Sequence, residues 1–435
     1  MQVRFDPVID ADEERAALAY LARAEQQASD VAGLDGGVKT IPIGRVGVLG
    51  AGTMGAGITL SFLNAGFPVT LVDTTREALV RGVGQVGAAL QGALNKGRIG
   101  AAEVDRQQAM LTVTLDDHAL ADCDLVIEAV YEDMALKQRV LGRLGEVCRP
   151  DAILATNTST LDVDALAVAS GRPTRFVGMH FFSPAHVMRL LEVVRGAQTA
   201  PAVLASVMQL AGRIGKVAVV SGVCYGFIGN RMAEVYMREA EFLLMEGVAP
   251  SRIDGAVERL GMAMGPCRML DMAGIDVGAK TVIERGKAGG LPADPSYRAV
   301  VQKMFALGRH GQKSGSGYYR YQGRSAADDP ATMNIAAALA RQHGITPAPE
   351  IDDDEIARRL LLPLVNEGMR LLSEGIAARS GDIDVVWTAG YGFPRARGGP
   401  MYMARSVGLD RVRADLEHYA AVRGDAHGYW APSFS

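Results

Sequence analysis

The sequence is poor in the features that mark small stapled, metal-held or membrane-embedded proteins. Only four cysteines occur in 435 residues (Cys123, Cys148, Cys224 and Cys267), with no C-x-x-C pair and no cluster of cysteine with histidine. That spacing excludes a disulfide framework and a structural zinc site, so no metal is expected and the thiols read as buried groups of a reducing compartment. Nowhere does the chain offer the run of about eighteen apolar residues that a membrane-spanning helix requires. The opening MQVRFDPVIDADEERAALAYLARAEQQ is charged every few positions and has no apolar core like that of a secretory signal. A cytoplasmic protein with no membrane partner is expected. An excess of either charge is missing as well. Forty-five basic residues against 49 acidic ones leave a formal charge of -4, which argues against nucleic acid as the main partner. An acidic small ligand would need a local basic patch.

Glycine is abundant, with 51 residues in a composition that is 49% hydrophobic and 22% charged. Such a balance belongs to an ordinary folded chain, and this length suggests two or three domains. Residues 13–28 carry apolar positions at helical spacing before DVAGLDGGVKTIP breaks the pattern, so 1–40 reads as a leader helix and linker. Over 41–220, apolar and β-branched runs alternate with helical stretches. The expected strands are RVGVLG (45–50), VTLVD (69–73), LTVTL (111–115), DLVIEAV (124–130), AILAT (152–156), RFVGMH (175–180) and RLLEVV (189–194). This alternation predicts an α/β fold, a Rossmann-type doubly wound parallel sheet covered on both faces.

From about 221 helices dominate, first over 221–320 and again over 345–435, with a polar linker at 321–344. RMAEVYMREAEFLLMEGVA (231–249) and RLLLPLVNEGMRLLSEGIA (359–377) align without a gap. Ile253-Asp254 then matches Ile383-Asp384, and Gly265-Pro266 matches Gly399-Pro400. The expectation is a duplicated all-helical C-terminal domain that packs its two copies on each other.

Two segments carry chemistry. Gly50-Ala51-Gly52-Thr53-Met54-Gly55 is G-x-G-x-x-G between a strand and a helix, the context in which it cradles a pyrophosphate. Gly50 permits the turn, Gly52 the approach of phosphate, and Gly55 close packing of the helix, with Met54 beside the adenine and ribose. Asp73 ends the second strand, where a carboxylate accepts from ribose hydroxyls and disfavours a 2′-phosphate, so NAD is the expected cofactor. The second segment is MHFFSPAHVMRLLEVV (179–194). His180 ends one strand and Glu192 sits on the strand that returns, which can set a carboxylate beside an imidazole. That pair suits alcohol oxidation, the neutral histidine taking the hydroxyl proton while the glutamate orients it. A histidine there can equally be a hydrogen-bonded core residue. His186 reads as a loop residue, and the glycines of GQKSGSG and GYGF read as turn formers.

The text GVLGAGTMGAGI, LVIEAVYEDMALK, NTST, HFFSPAHVMRLLEVV, CYGFIGNRM, GQKSGSGYY and GYGFPRARGGPM resembles the (S)-3-hydroxyacyl-CoA dehydrogenase family. It is more similar still to the dehydrogenase half of peroxisomal-type multifunctional β-oxidation enzymes. The resemblance implies oxidation of (S)-3-hydroxyacyl-CoA to 3-oxoacyl-CoA by NAD. It makes His180 the catalytic base, Glu192 its partner, Ser159 a contact to nicotinamide and substrate oxygen, and Asn230 an amide near the 3-oxygen. Met54, Asp73, Val130, Tyr131, Glu132, Lys137 and Ser183 match cofactor-contacting positions, and Lys96 falls where a lysine meets the CoA phosphates. Single-activity members carry Asn at the place of Ser183, and multifunctional members carry Tyr at that of Met403. Residues 1–40 are too short for the hydratase domain of multifunctional members. The expectation is thus a free-standing dehydrogenase part, with a separate enoyl-CoA hydratase or thiolase as candidate partner. Single-domain relatives dimerise through their helical domains; with two copies the chain is expected as a monomer, with a dimer as the alternative. A 3-hydroxybutyryl-CoA or free hydroxy-acid dehydrogenase and a non-catalytic, crystallin-like role are the other readings.

Overall fold

The computed structural model describes residues 2–434 apart from 32, 35, 36 and 324, so part of the expected linker within 1–40 lies outside the described residues. The chain divides into two compact units, Ala22–Asn230 with Glu374–Tyr391, and Met1–Leu21 with Arg231–Ser373 and Gly392–Ser435. It opens with α1 (Ala11–Ser29), which crosses that division.

The first unit is built on one sheet. In chain order it runs β1 (Val46–Leu49), α2 (Thr53–Asn64), β2 (Val69–Val72), α3 (Arg76–Asn95), α4 (Ala101–Ala109), β3 (Leu111–Thr114), β4 (Leu125–Glu128) and α5 (Met134–Val147). It continues with β5 (Ile153–Thr156), α6 (Val163–Ala169), β6 (Phe176–Phe181), β7 (Leu190–Val194), α7 (Pro201–Arg213) and β8 (Val217–Ser221). Every residue of β1, β4, β5, β6 and β7 is buried, as strands covered on both faces must be. Side-chain caps start the helices where the sequence offers them: Thr75 accepts from Ala78 N, Asp133 from Leu136 N and Asp162 from Ala165 N.

The strands order β3-β2-β1-β4-β5-β6-β7-β8. Pairs from β3 through β6 are parallel, and β7 lies antiparallel to β6. That reversal is the return expected for the strand that carries Glu192. A parallel crossover needs a dozen or more residues and usually a helix, while β6 and β7 are joined by residues 182–189 alone. β8, parallel to β7, extends the reversed edge and is not among the expected strands, although VAVV after Gly215 has the composition of a buried strand. Strand order reverses at β1, whose carboxyl end is where dinucleotides bind in such sheets.

The helices beyond the sheet are α8 (Gly229–Met245), α9 (Pro250–Glu258), α10 (Pro266–Ala273), α11 (Ile275–Lys287) and α12 (Ala299–Ala306). After a hairpin of β9 (Tyr319–Gln322) and β10 (Ser325–Asp328) come α13 (Pro330–His343), α14 (Asp353–Ser373), α15 (Ser380–Gly390), α16 (Pro400–Val407) and α17 (Leu409–Arg423). The order α8-α9-α10-α11 recurs as α14-α15-α16-α17, down to the joint between the last two helices. Gly274 has φ 100 and ψ 117, and Gly408 has φ 99 and ψ 120, a left-handed conformation that L side chains rarely adopt. Within the second unit, α9 packs on α14. Within the stretch expected as a linker, 321–344, lie β10 and the fourteen-residue helix α13. The alternation Y-R-Y-Q is the available strand signal, but S-A-A-D lacks the β-branched residues that mark its partner. α15, from the second helical block, belongs to the first unit and packs on β7 and β8.

Candidate active site

Three carboxyl ends of the sheet converge on the candidate site. At the end of β1, Gly50 has φ 107, and a Cβ there would lie 2.6 Å from the Ala129 carbonyl oxygen. A Cβ on Gly55 would lie 1.7 Å from the Gly50 oxygen, so only glycine lets α2 start this close to the strand. Around Gly52 nothing lies within 4 Å of a built Cβ, and as N-cap of α2 it supplies no side-chain oxygen to the first-turn N–H groups. Open space in front of uncapped N–H donors fits a dinucleotide pyrophosphate. Asp73 Oδ2 accepts from Ala51 N at 2.7 Å and Oδ1 from Thr74 N at 2.7 Å, which ties the acid to the glycine loop. Met54 packs partly buried against the core.

At the end of β4 a buried polar hub supports the loop that follows β5. Glu128 accepts from Lys137 Nζ at 2.6 Å, Thr156 Oγ1 at 2.6 Å and Val130 N at 2.7 Å. Lys137, 1% exposed, also pairs with Glu132 Oε2 at 3.3 Å. Glu132 Oε1 accepts from Thr158 Oγ1 at 2.7 Å, Ser159 N at 2.8 Å and Ser159 Oγ at 3.2 Å. Burial alone would raise the Glu132 carboxyl, but the Lys137 ammonium and the donors of Thr158 and Ser159 outweigh it and hold it below its ordinary value. Tyr131, by contrast, is 66% exposed.

The end of β6 carries the candidate base. His180 and Glu192 are directly opposite in the antiparallel register of β6 and β7, so their side chains share a face. His180 Nδ1 lies 2.8 Å from Glu192 Oε2, both side chains being buried. The other oxygen, Glu192 Oε1, accepts from Ile228 N at 3.1 Å and Gly229 N at 3.0 Å, the amides that open α8. Phe227, at φ 51, turns the chain so that these amides face the carboxylate, and its ring lies 5.7 Å from the imidazole. Phe182 covers the imidazole from a further side at 4.3 Å. With Nδ1 committed to a carboxylate that only accepts, the neutral ring carries its proton there and presents a bare Nε2.

Asn230, next to these amides, directs Nδ2 at the Ser159 carbonyl oxygen at 3.5 Å and accepts through Oδ1 from Tyr391 Oη at 2.7 Å. His180, Glu192, Ser159 and Asn230 are thus joined through one loop and one helix start. Gly50, Gly52, Met54, Gly55 and Asp73 form the glycine loop, and Val130, Glu132 and Lys137 form the hub. Ser183 is exposed on the loop after β6. Lys96 caps the end of α3, exposed, and its side chain makes no hydrogen bond or ion pair with another described residue. Sequence reasoning missed Glu128, Phe227 and Tyr391. A lone acid inside the apolar run L-V-I-E-A-V is a signal for Glu128, because a charge in a buried strand needs partners. Tyr391 sits in G-Y-G-F, which reads as a turn.

Residues 45–224 match the model of the 3-hydroxyacyl-CoA dehydrogenase NAD binding domain, and residues 226–321 and 356–434 that of the C-terminal domain. A peroxisomal bifunctional enzyme of Cavia porcellus is 44% identical over 87% of this chain and 53% of its own length. The chain spans about half the length of the curated relatives it matches. A solved 3-hydroxybutyryl-CoA dehydrogenase of Escherichia coli K12 shares 28% identity and a TM-score of 0.77, covering 90% of this chain and 97% of its own. The dehydrogenase part of a multifunctional enzyme from C. elegans shares 28% identity and a TM-score of 0.65, covering 95% and 96%. With an NAD-binding domain ahead of a helical region that matches the C-terminal domain, the chain belongs to the 3-hydroxyacyl-CoA dehydrogenase family.

Proposed function

We propose that this chain oxidises (S)-3-hydroxyacyl-CoA to 3-oxoacyl-CoA in fatty-acid β-oxidation, with His180 as general base. The observation that carries the reading is the buried His180–Glu192 pair at 2.8 Å, with the far carboxylate oxygen held by two backbone amides. Bound NAD⁺ supplies the hydride acceptor. His180 Nε2 takes the proton of the 3-hydroxyl as its C–H bond breaks and the C=O bond forms. Glu192 keeps the proton on Nδ1 and stabilises the imidazolium that results. Ser159 contacts the 3-oxygen and Asn230 donates to it, and in the reverse direction His180 returns the proton to it. The Gly50–Gly55 loop and Asp73 hold the dinucleotide, and Val130, Tyr131, Glu132, Lys137 and Ser183 border it; Lys96 is assigned to the CoA phosphates.

The domain reading is a sheet domain followed by two copies of one helical unit, supported by the recurring helix order and the matched glycine joints. A monomer follows from internal pairing of the copies, and a stable dimer in sedimentation would contradict it. A separate hydratase or thiolase is the proposed partner. The cytoplasm is the proposed setting, although the Cavia porcellus relative is named peroxisomal; fractionation decides between them. No helix among the described residues is long and apolar enough to cross a membrane. The Escherichia coli neighbour favours a short acyl chain as the second reading. Oxidation of NADH by acetoacetyl-CoA, repeated with C4 to C16 substrates and with free hydroxy acids, tests the function and the chain length together. Activity on free acids alone, or on none, would overturn it.

A further inference from the structure

Tyr391 sits in the G-Y-G-F stretch that the sequence reads only as a turn, yet its phenol reaches the amide on which the proposed chemistry depends. Asn230 has two polar neighbours of different kinds. The Ser159 carbonyl can only accept, so the amide nitrogen must face it, at 3.5 Å. Oδ1 then faces Tyr391 Oη at 2.7 Å, and the phenol has to be the donor. Burial, with the Glu192 carboxylate as the lesser cause, pushes this phenol well above its ordinary pKa, so the proton stays available for donation.

The ring is fixed on three sides. It stacks on Trp387 with centroids 4.7 Å apart and planes at 25°, and meets Phe182 edge-on at 5.6 Å. It also lies against the backbone of Gly229, where a Cβ would come within 2.4 Å of Tyr391 Cε2. A carboxamide without such a partner rotates half a turn about its terminal torsion and exchanges its donor for its acceptor. The reversed amide would set a lone pair against the Ser159 carbonyl and offer an acceptor, not a donor, to the substrate oxygen.

We infer that Tyr391 is a positioning residue that locks the Asn230 carboxamide in its donating orientation through its phenolic O–H. The second helical block thereby completes the site of the sheet unit. This rests on the reading of Asn230 as a donor to the 3-oxygen. Tyr391→Phe removes the O–H and keeps the stacking. It should lower kcat with acetoacetyl-CoA by roughly two- to ten-fold, the range set by one net hydrogen bond. The KM for NADH and the thermal midpoint should not move, and calorimetry on the NADH-free protein should show weaker acetoacetyl-CoA binding. In an Asn230→Ala background Tyr391→Phe should have no further effect on kcat. An unchanged kcat, the same fold loss in both backgrounds, or a loss that follows a fallen thermal midpoint would overturn the proposal. A wild-type chain inactive toward acetoacetyl-CoA would overturn the proposed function and this proposal with it. An active wild type with an unaffected Tyr391→Phe would overturn this proposal alone.

Discussion

Replacing Glu192 by glutamine changes one oxygen to NH₂ without changing shape, and the surroundings decide which way the new group points. If the NH₂ faces the amides of Ile228 and Gly229, two buried donors are opposed by a third. Each unsatisfied donor costs about 1–3 kcal/mol. If it faces His180 there is a single conflict, at the 2.8 Å contact with Nδ1, and the imidazole relieves it by moving its proton to Nε2. The relieved state is the stable one, and in it the base is blocked. Turnover then requires the proton back on Nδ1 against the new NH₂, about 1–3 kcal/mol, and proceeds without the charged hydrogen bond to the imidazolium, about 1.5–3 kcal/mol more. Together these correspond to a loss of roughly 10²–10⁴ in kcat, similar to the wrong-tautomer effect in hydrolase triads. The assay is steady-state oxidation of NADH with acetoacetyl-CoA, together with the KM for NADH, which the substitution should leave nearly unchanged. A Glu192→Gln enzyme with wild-type kcat would refute the reasoning, since the carboxylate would then neither fix the tautomer nor stabilise the charged ring.

Asp73→Ala should act on binding instead of chemistry: the lost acceptor for the ribose should raise the NADH dissociation constant by roughly 10–100-fold, the range of a charged hydrogen bond, with kcat at saturating NADH retained. Equal affinity in a fluorescence titration would contradict that role. Away from the site, burial pushes the Asp254 carboxyl from 3.8 up to about 6, against donors from Tyr319 Oη, Cys267 N and Arg268 N. Between those values the native chain binds the proton more tightly than the unfolded one. The carboxyl therefore adds stability as pH falls through 6 toward 4, and the addition is lost as pH rises through 6, in all about 3 kcal/mol. Urea unfolding across that window should show a shallower rise on acidification in Asp254→Asn than in wild type, and parallel pH profiles would contradict the burial effect.

How far the sequence could be read depended on the range of the interactions. The glycine loop was legible because its function needs three glycines at fixed local spacing between a strand and a helix. The His180–Glu192 pair was legible because a short connection between two strands fixes their register. The reversal of β7 was legible from the same short connection, although alternation of apolar runs by itself carries no direction. Tyr391 was hidden because its partner lies 161 residues away and its own neighbours G-Y-G-F look like a turn. The placement of α15 against β7 and β8 was hidden for a similar reason. A helix's apolar face is visible in sequence, but which surface it covers is decided by the whole chain.

The assignment of the base is tested most directly by His180→Gln, measured beside the wild type for NADH oxidation with acetoacetyl-CoA. An amide in place of the imidazole cannot accept the hydroxyl proton, so turnover should fall by roughly 10²–10⁴-fold while NADH still binds. A His180→Gln protein that turns over near the wild-type rate would contradict it.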